Sequence, residues 1–83
     1  MPEEGVGPEE AVRHVGSILE GVEALLPELR RLSEGQAAAT EKMVRVLREV
    51  TLKAAQRGDT QAFALVLERA RRLLGETEEM LRS

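Results

Sequence analysis

Hydrophobic residues recur every three or four positions along three stretches of this chain, which is the spacing of amphipathic α-helices. In a seven-residue register (abcdefg), the first stretch has aliphatic residues at every a and d position, and three more at g. An apolar face this wide is typical of a helix that packs against two neighbours. We therefore predict a first helix over residues 9–32. Its predicted core positions are Val12, Val15, Leu19, Val22, Leu26 and Leu29, flanked by Ile18, Leu25 and Leu32.

The second stretch continues the same register and predicts a helix over residues 36–57. Its a and d positions are Met43, Leu47, Val50 and Ala54, with Val44 and Thr51 at e. The sequence then indicates a stop. Gly58 can take the left-handed conformation that follows many helices, and Asp59 or Thr60 can cap the next one.

A third helix is predicted over residues 60–82, with the register restarted at Phe63, the only aromatic residue. Its a and d positions are Phe63, Val66, Ala70, Leu73, Thr77 and Met80, with Leu67, Leu74 and Leu81 at e. Three helices of similar length joined by short connections favour an up-down-up bundle.

Residues 29–40, LRRLSEGQAAAT, determine the architecture. The register continues through them without interruption, as it would in a single helix of more than forty residues. Ser33 and Gln36 nevertheless have the spacing of a capping box, with Leu32 and Ala37 placed as its hydrophobic staple. We therefore predict a turn here and an all-α fold, an antiparallel three-helix bundle with coiled-coil-like packing. The alternative is a long continuous helix 1+2 with helix 3 folded back, completed by dimerisation.

Length and composition indicate one small domain. The chain has 83 residues, of which 42% are hydrophobic and none is cysteine, and domains of this size are often marginal unless subunits associate. We expect residues 1–7 to form a flexible N-terminal tail and residues 8–83 to form a single helical domain. The N-terminus does not resemble a signal peptide, and no apolar run is long enough to span a membrane. We therefore expect a cytoplasmic protein with no membrane partner.

The net charge of −3 conceals an asymmetry along the chain. Residues 1–28 carry seven acids and one base, whereas residues 42–72 carry three acids and eight bases. The basic region could bind nucleic-acid phosphates or pair internally with helix 1. An acidic pI near 5.2 and the lack of interleaved aromatic residues disfavour nucleic acid. The candidate basic patch consists of Lys42, Arg45, Arg48, Lys53, Arg57, Arg69, Arg71 and Arg72.

No motif predicts catalysis. The only histidine, His14, falls at a c position away from the core, with Glu10 as its nearest acidic neighbour in sequence on that face. A specific metal site needs three or four convergent ligands, and the chain has no glycine-rich phosphate loop. We therefore expect no enzymatic activity, no metal and no cofactor.

Three apolar residues lie outside the predicted core stripes and are candidates for a second interface: Val46, Leu52 and Leu65. Because a small domain gains stability from association, we expect a protein–protein interaction or assembly module. Its partner would be a second copy of the chain, as a dimer or higher homo-oligomer, or another helical protein. The alternative is a nucleic-acid-associated regulatory or architectural protein that uses the basic residues 42–72.

Overall fold

The computed structural model describes residues 8–82, and three helices cover all of them except Ser33, Gly58 and Asp59. Helix α1 is Pro8–Leu32, helix α2 is Glu34–Arg57 and helix α3 is Thr60–Arg82. Each helix packs against both of the others. Because the connections contain only one and two residues, α2 runs antiparallel to α1 and α3. The predicted all-α three-helix bundle is confirmed, and the predicted tail, residues 1–7, lies outside the described residues.

The corner between α1 and α2 is made by Ser33. Its backbone is extended, and its Oγ accepts a hydrogen bond of 3.2 Å from the Gln36 N–H, so the predicted cap is present. The Ser33 N–H donates instead to the Leu29 carbonyl at 2.8 Å, so the reciprocal half of the capping box is not made. Leu32 is mostly exposed and forms no staple on Ala37. The chain turns at this residue, and the continuous-helix alternative is wrong.

The second corner follows the end of α2 at Gly58, which has the left-handed φ of 65°. The Gly58 N–H donates to the Ala55 carbonyl at 3.3 Å, and the Asp59 N–H donates to the Ala54 carbonyl at 3.0 Å. This pair of bonds is the Schellman motif, which satisfies carbonyls left free at the helix end. Asp59 then caps α3, because its Oδ1 accepts a hydrogen bond from the Ala62 N–H at 3.1 Å.

Helix α1 supplies more buried hydrophobic residues than either of the other two helices. The a and d positions from Val15 to Leu29 are all buried, as predicted, whereas Val12 is half-buried. Phe63, Val66 and Ala70 of α3 are buried on the facing side. The wide apolar face of α1 is therefore shared between two neighbouring helices, in agreement with its pattern. The buried residues of α1 are Val15, Leu19, Val22, Leu26 and Leu29.

Helix α2 buries a different face from the one that its a and d positions predict. Its buried residues occupy the a and e positions and are Ala37, Thr40, Val44, Leu47, Thr51 and Ala54. Met43 and Val50, which were predicted at core d positions, are exposed. The buried face consists mainly of small side chains, and the Thr51 hydroxyl is satisfied by donating to the Leu47 carbonyl at 2.7 Å. Small residues let α2 fit closely against two helices at once, which leaves larger apolar residues at the surface.

Candidate functional site

Apolar side chains that neither α1 nor α3 covers follow one line along α2. Met43, Val46 and Val50 are 46%, 45% and 39% exposed, and Ala39, one turn earlier, is also exposed. Their spacings of three and four residues place the three larger side chains within about 60° of one another around the helix. We call Ala39, Met43, Val46 and Val50 the α2 stripe. It is about 16 Å long by helical rise.

The predicted interface residues Val46, Leu52 and Leu65 are all exposed, and Val46 and Leu52 lie on different sides of α2. Leu52 lies about 120° from Val46 around α2 and borders α1, where it lines a depression together with Val12 and Gly16. Leu65 is on α3. Of the three predicted residues, only Val46 therefore belongs to the α2 stripe.

Sequence reasoning missed Met43 and Val50 because their d positions assigned them to the core. The e positions of α2, which are Ala37, Val44 and Thr51, form an equally regular line with the same a residues. That second line is the signal that could have revealed the two missed residues. The sequence alone does not show which line is buried, because the a/d positions and the a/e positions both have helical spacing.

The eight cations of the candidate basic patch are divided between α2 and α3. Arg48 lies against α1, and its two terminal nitrogens donate to the Glu23 carboxylate at 2.7 and 2.8 Å. Arg71 lines a groove between α1 and α3. The internal pairing predicted for the basic region is therefore present at Arg48. The remaining cations are exposed on α2 and α3 and are Lys42, Arg45, Lys53, Arg57, Arg69 and Arg72.

Two ion pairs between α1 and α2 show which side of α2 faces α1. Besides the Arg48–Glu23 pair, Arg30 of α1 donates to Glu41 of α2 at 3.3 Å. Arg48 lies about 160° from Val46 around α2. Because Arg48 is held against α1, the α2 stripe faces away from α1.

The Arg48 guanidinium holds the pKa of Glu23 below its ordinary value. The hydrogen bonds from Arg48 are the largest cause, its positive charge adds to them, and partial burial acts in the opposite direction. The same contact raises the pKa of Arg48, which leaves it charged at every accessible pH. Both side chains are about two-fifths exposed, so we expect the pair to contribute no more than about 1 kcal/mol.

We searched the described residues for a metal site and for a membrane-spanning helix. Within residues 8–82, no three His, Asp or Glu side chains are grouped so that they could hold a metal ion. None of helices α1–α3 is long and apolar enough to cross a membrane. The two surface features that we develop are the α2 stripe and the groove between α1 and α3.

Comparison with known proteins gives no assignment: no protein family matches this chain, and no curated protein or solved structure is significantly similar to it. The fold defines a small helical bundle, a class that hosts many unrelated functions. A function must therefore be argued from the two surface features themselves.

Glu23→Gln is expected to lower the free energy of unfolding by up to about 1 kcal/mol at pH 7, because it breaks a bidentate but partly exposed ion pair. The pKa of Glu23 is lower in the folded state than the value of about 4.3 in the unfolded chain. The contribution of the pair is therefore present above the unfolded pKa and is lost as the pH falls through the folded pKa.

Chemical denaturation at neutral and acid pH measures this difference. Glu28→Gln, an exposed glutamate on the same helix, is the control and should change stability by less than about 0.5 kcal/mol. The difference in the free energy of unfolding between the wild type and the Glu23→Gln variant should shrink as the pH falls. If this difference stayed constant below the folded-state pKa of Glu23, the stabilising role of the ion pair would be contradicted.

Proposed function

We propose that this protein is a noncatalytic helical interaction module that self-associates through the α2 stripe. The observation that carries the proposal is the exposure of Met43, Val46 and Val50 along one line of a single helix. Contiguous exposed apolar surface is typical of sites where another molecule binds. A second copy is favoured as the partner because a bundle of this size buries a limited core by itself.

A two-fold axis near Val46 would bring two α2 stripes together in antiparallel orientation. Two-fold dimers are the commonest oligomers, and their interfaces pair a surface patch with itself. In this arrangement Met43 of one copy lies opposite Val50 of the other, and Val46 lies beside its counterpart. Each of the larger apolar residues of the stripe thus meets an apolar residue of the second copy.

Charges at the edge of the stripe favour the same arrangement. Lys42 and Glu49 lie seven residues apart on the edge of the stripe that faces away from the bundle, and both are exposed. Within residues 8–82 neither takes part in an ion pair. In an antiparallel dimer, Lys42 of each copy faces Glu49 of the other. In a parallel dimer, each residue lies at the same height as its counterpart in the other copy. Lys42 of one copy and Glu49 of the other are then about 10 Å apart along the helix axis.

The nucleic-acid alternative rests on the exposed cations of α2 and α3. It is the weaker proposal, because Arg48 pairs with Glu23 and Arg71 borders α1, so neither extends that surface. Contacts to phosphates would give binding that weakens steeply as salt concentration rises. Titration with duplex DNA at low salt tests it, and absence of binding would eliminate this alternative.

Val46→Glu is expected to raise the dimer dissociation constant at least roughly tenfold, because a carboxylate from each copy would be buried at the axis. Sedimentation equilibrium over a concentration series measures the constant, and circular dichroism checks that the helices remain. Leu52→Glu is the matched control. It places the same charge at a similarly exposed position of α2, on the side next to α1, and should leave association unchanged. A wild-type protein that stays monomeric throughout, or dissociation by Leu52→Glu alone, would contradict self-association through the stripe.

Reversing the edge charges tests the antiparallel geometry. Lys42→Glu and Glu49→Lys alone should each weaken the dimer severalfold, because like charges then face each other at two symmetric places. The double variant restores opposite charges and should recover the wild-type dissociation constant. An equimolar mixture of the two single variants should also form a heterodimer preferentially. If the double variant were as weak as either single variant, the antiparallel pairing would be wrong even if the protein dimerises.

A further inference from the structure

A groove of about 480 Å³ lies between the N-terminal halves of α1 and α3. Its volume is within the range of roughly 300–1,000 Å³ that is usual for small-molecule sites. The walls are largely apolar and are formed by Ala11, Val15, Phe63, Ala64 and Leu67. The only aromatic side chain of the protein is thus part of this groove.

The groove exists because two alanines face the gap between the helices. Helices α1 and α3 run parallel, and a Cβ at Gly21 would lie 3.7 Å from a methyl carbon of Leu74, so the helices are in close contact at that height. Ten residues earlier on each helix, Ala11 and Ala64 lie at equal height and line the groove. Their side chains are too short to fill the space that larger residues occupy farther along.

The polar groups of the groove favour an anion. His14, Thr60 and Arg71 complete the lining, and no carboxylate is among the lining residues. Within residues 8–82, Arg71 takes part in no ion pair. A guanidinium is well suited to bind a carboxylate or phosphate through paired hydrogen bonds. Thr60 and Arg71 lie about 16 Å apart along α3, which gives the groove an elongated shape.

We propose that this groove binds a single-chain amphiphile with an anionic head group, of the class of medium-chain fatty carboxylates. The head group lies at Arg71. The aliphatic chain extends along Leu67 and Phe63 towards Thr60. The site is separate from the α2 stripe, so the proposal does not depend on self-association.

Sodium decanoate, below its micelle-forming concentration, is the probe, and two-dimensional NMR of the full-length protein is the measurement. Saturable shifts centred on Ala11, Ala64 and Leu67 are expected. Decanol has the same chain without charge and should bind more weakly, whereas decyltrimethylammonium carries the opposite charge and should not saturate the site.

Substitutions locate the site and the head group. Arg71→Ala should weaken decanoate binding roughly tenfold, because it removes charged hydrogen bonds to the head group. Arg72→Ala is the matched control: it removes the same charge from the next residue, which does not line the groove, and should leave affinity unchanged. Ala64→Phe fills the groove from an exposed position and should abolish binding while Arg71 remains.

Three results would overturn the proposal. The first is the absence of saturable NMR shifts with decanoate. The second is an equal loss of decanoate affinity in Arg71→Ala and Arg72→Ala, which would indicate general attraction of the anion to positive charge. The third is a change in the NMR signals of the groove residues with protein concentration in the absence of decanoate. That change would indicate that a second copy of the chain occupies the groove. Loss of self-association in the Val46→Glu variant affects none of these measurements, so the two proposals can fail separately.

Discussion

The structure depends on how α2 is rotated about its own axis, because this helix carries two apolar lines and the bundle buries only one of them. The buried line contains mainly alanine, threonine and valine, whereas the exposed line contains Met43, Val46 and Val50. Burial of a large aliphatic side chain is worth about 1.5–3 kcal/mol, so apolar area alone would not leave the larger residues outside. Close approach to two helices, together with the Arg48–Glu23 and Arg30–Glu41 pairs, favours the observed rotation.

Local chemistry explains why the helix boundaries could be predicted. Ser33 and Gln36, and Gly58 and Asp59, place cap residues where backbone groups would otherwise lack partners. These signals involve residues no more than five positions apart, so a sequence pattern contains them completely. The observed helices accordingly begin and end within two residues of the predicted positions.

The rotation of α2 could not be predicted in the same way. Leu47 and Ala54 occupy a positions, which are common to the a/d pattern with Met43 and Val50 and the a/e pattern with Val44 and Thr51. The repeat therefore identifies the helix without selecting its buried face. The selection involves Glu23 and Arg30, which lie on another helix. The pairing of Arg48 with Glu23 also required the fold, because a segment's net charge does not specify how its side chains are distributed around a helix. The groove likewise required the fold, because Ala11 and Ala64 are far apart in sequence.

The two proposed sites use different parts of the bundle. The α2 stripe offers an apolar line edged by Lys42 and Glu49, and the groove offers an apolar space between α1 and α3 with Arg71 at one end. Small residues contribute to both, because they form most of the buried face of α2 and because Ala11 and Ala64 line the groove. The two proposals do not compete for the same residues, because α2 contributes no residue to the lining of the groove.

The rate of thiol labelling at two adjacent positions tests the rotation of α2 most directly. The natural chain has no cysteine, so Met43→Cys and Val44→Cys each introduce a single reactive site. In dilute protein, Met43→Cys should react almost as fast as a free thiol, whereas Val44→Cys should react many times more slowly because labelling requires the bundle to open. Faster labelling of Val44→Cys than of Met43→Cys would show that the other apolar line is buried and would contradict the account.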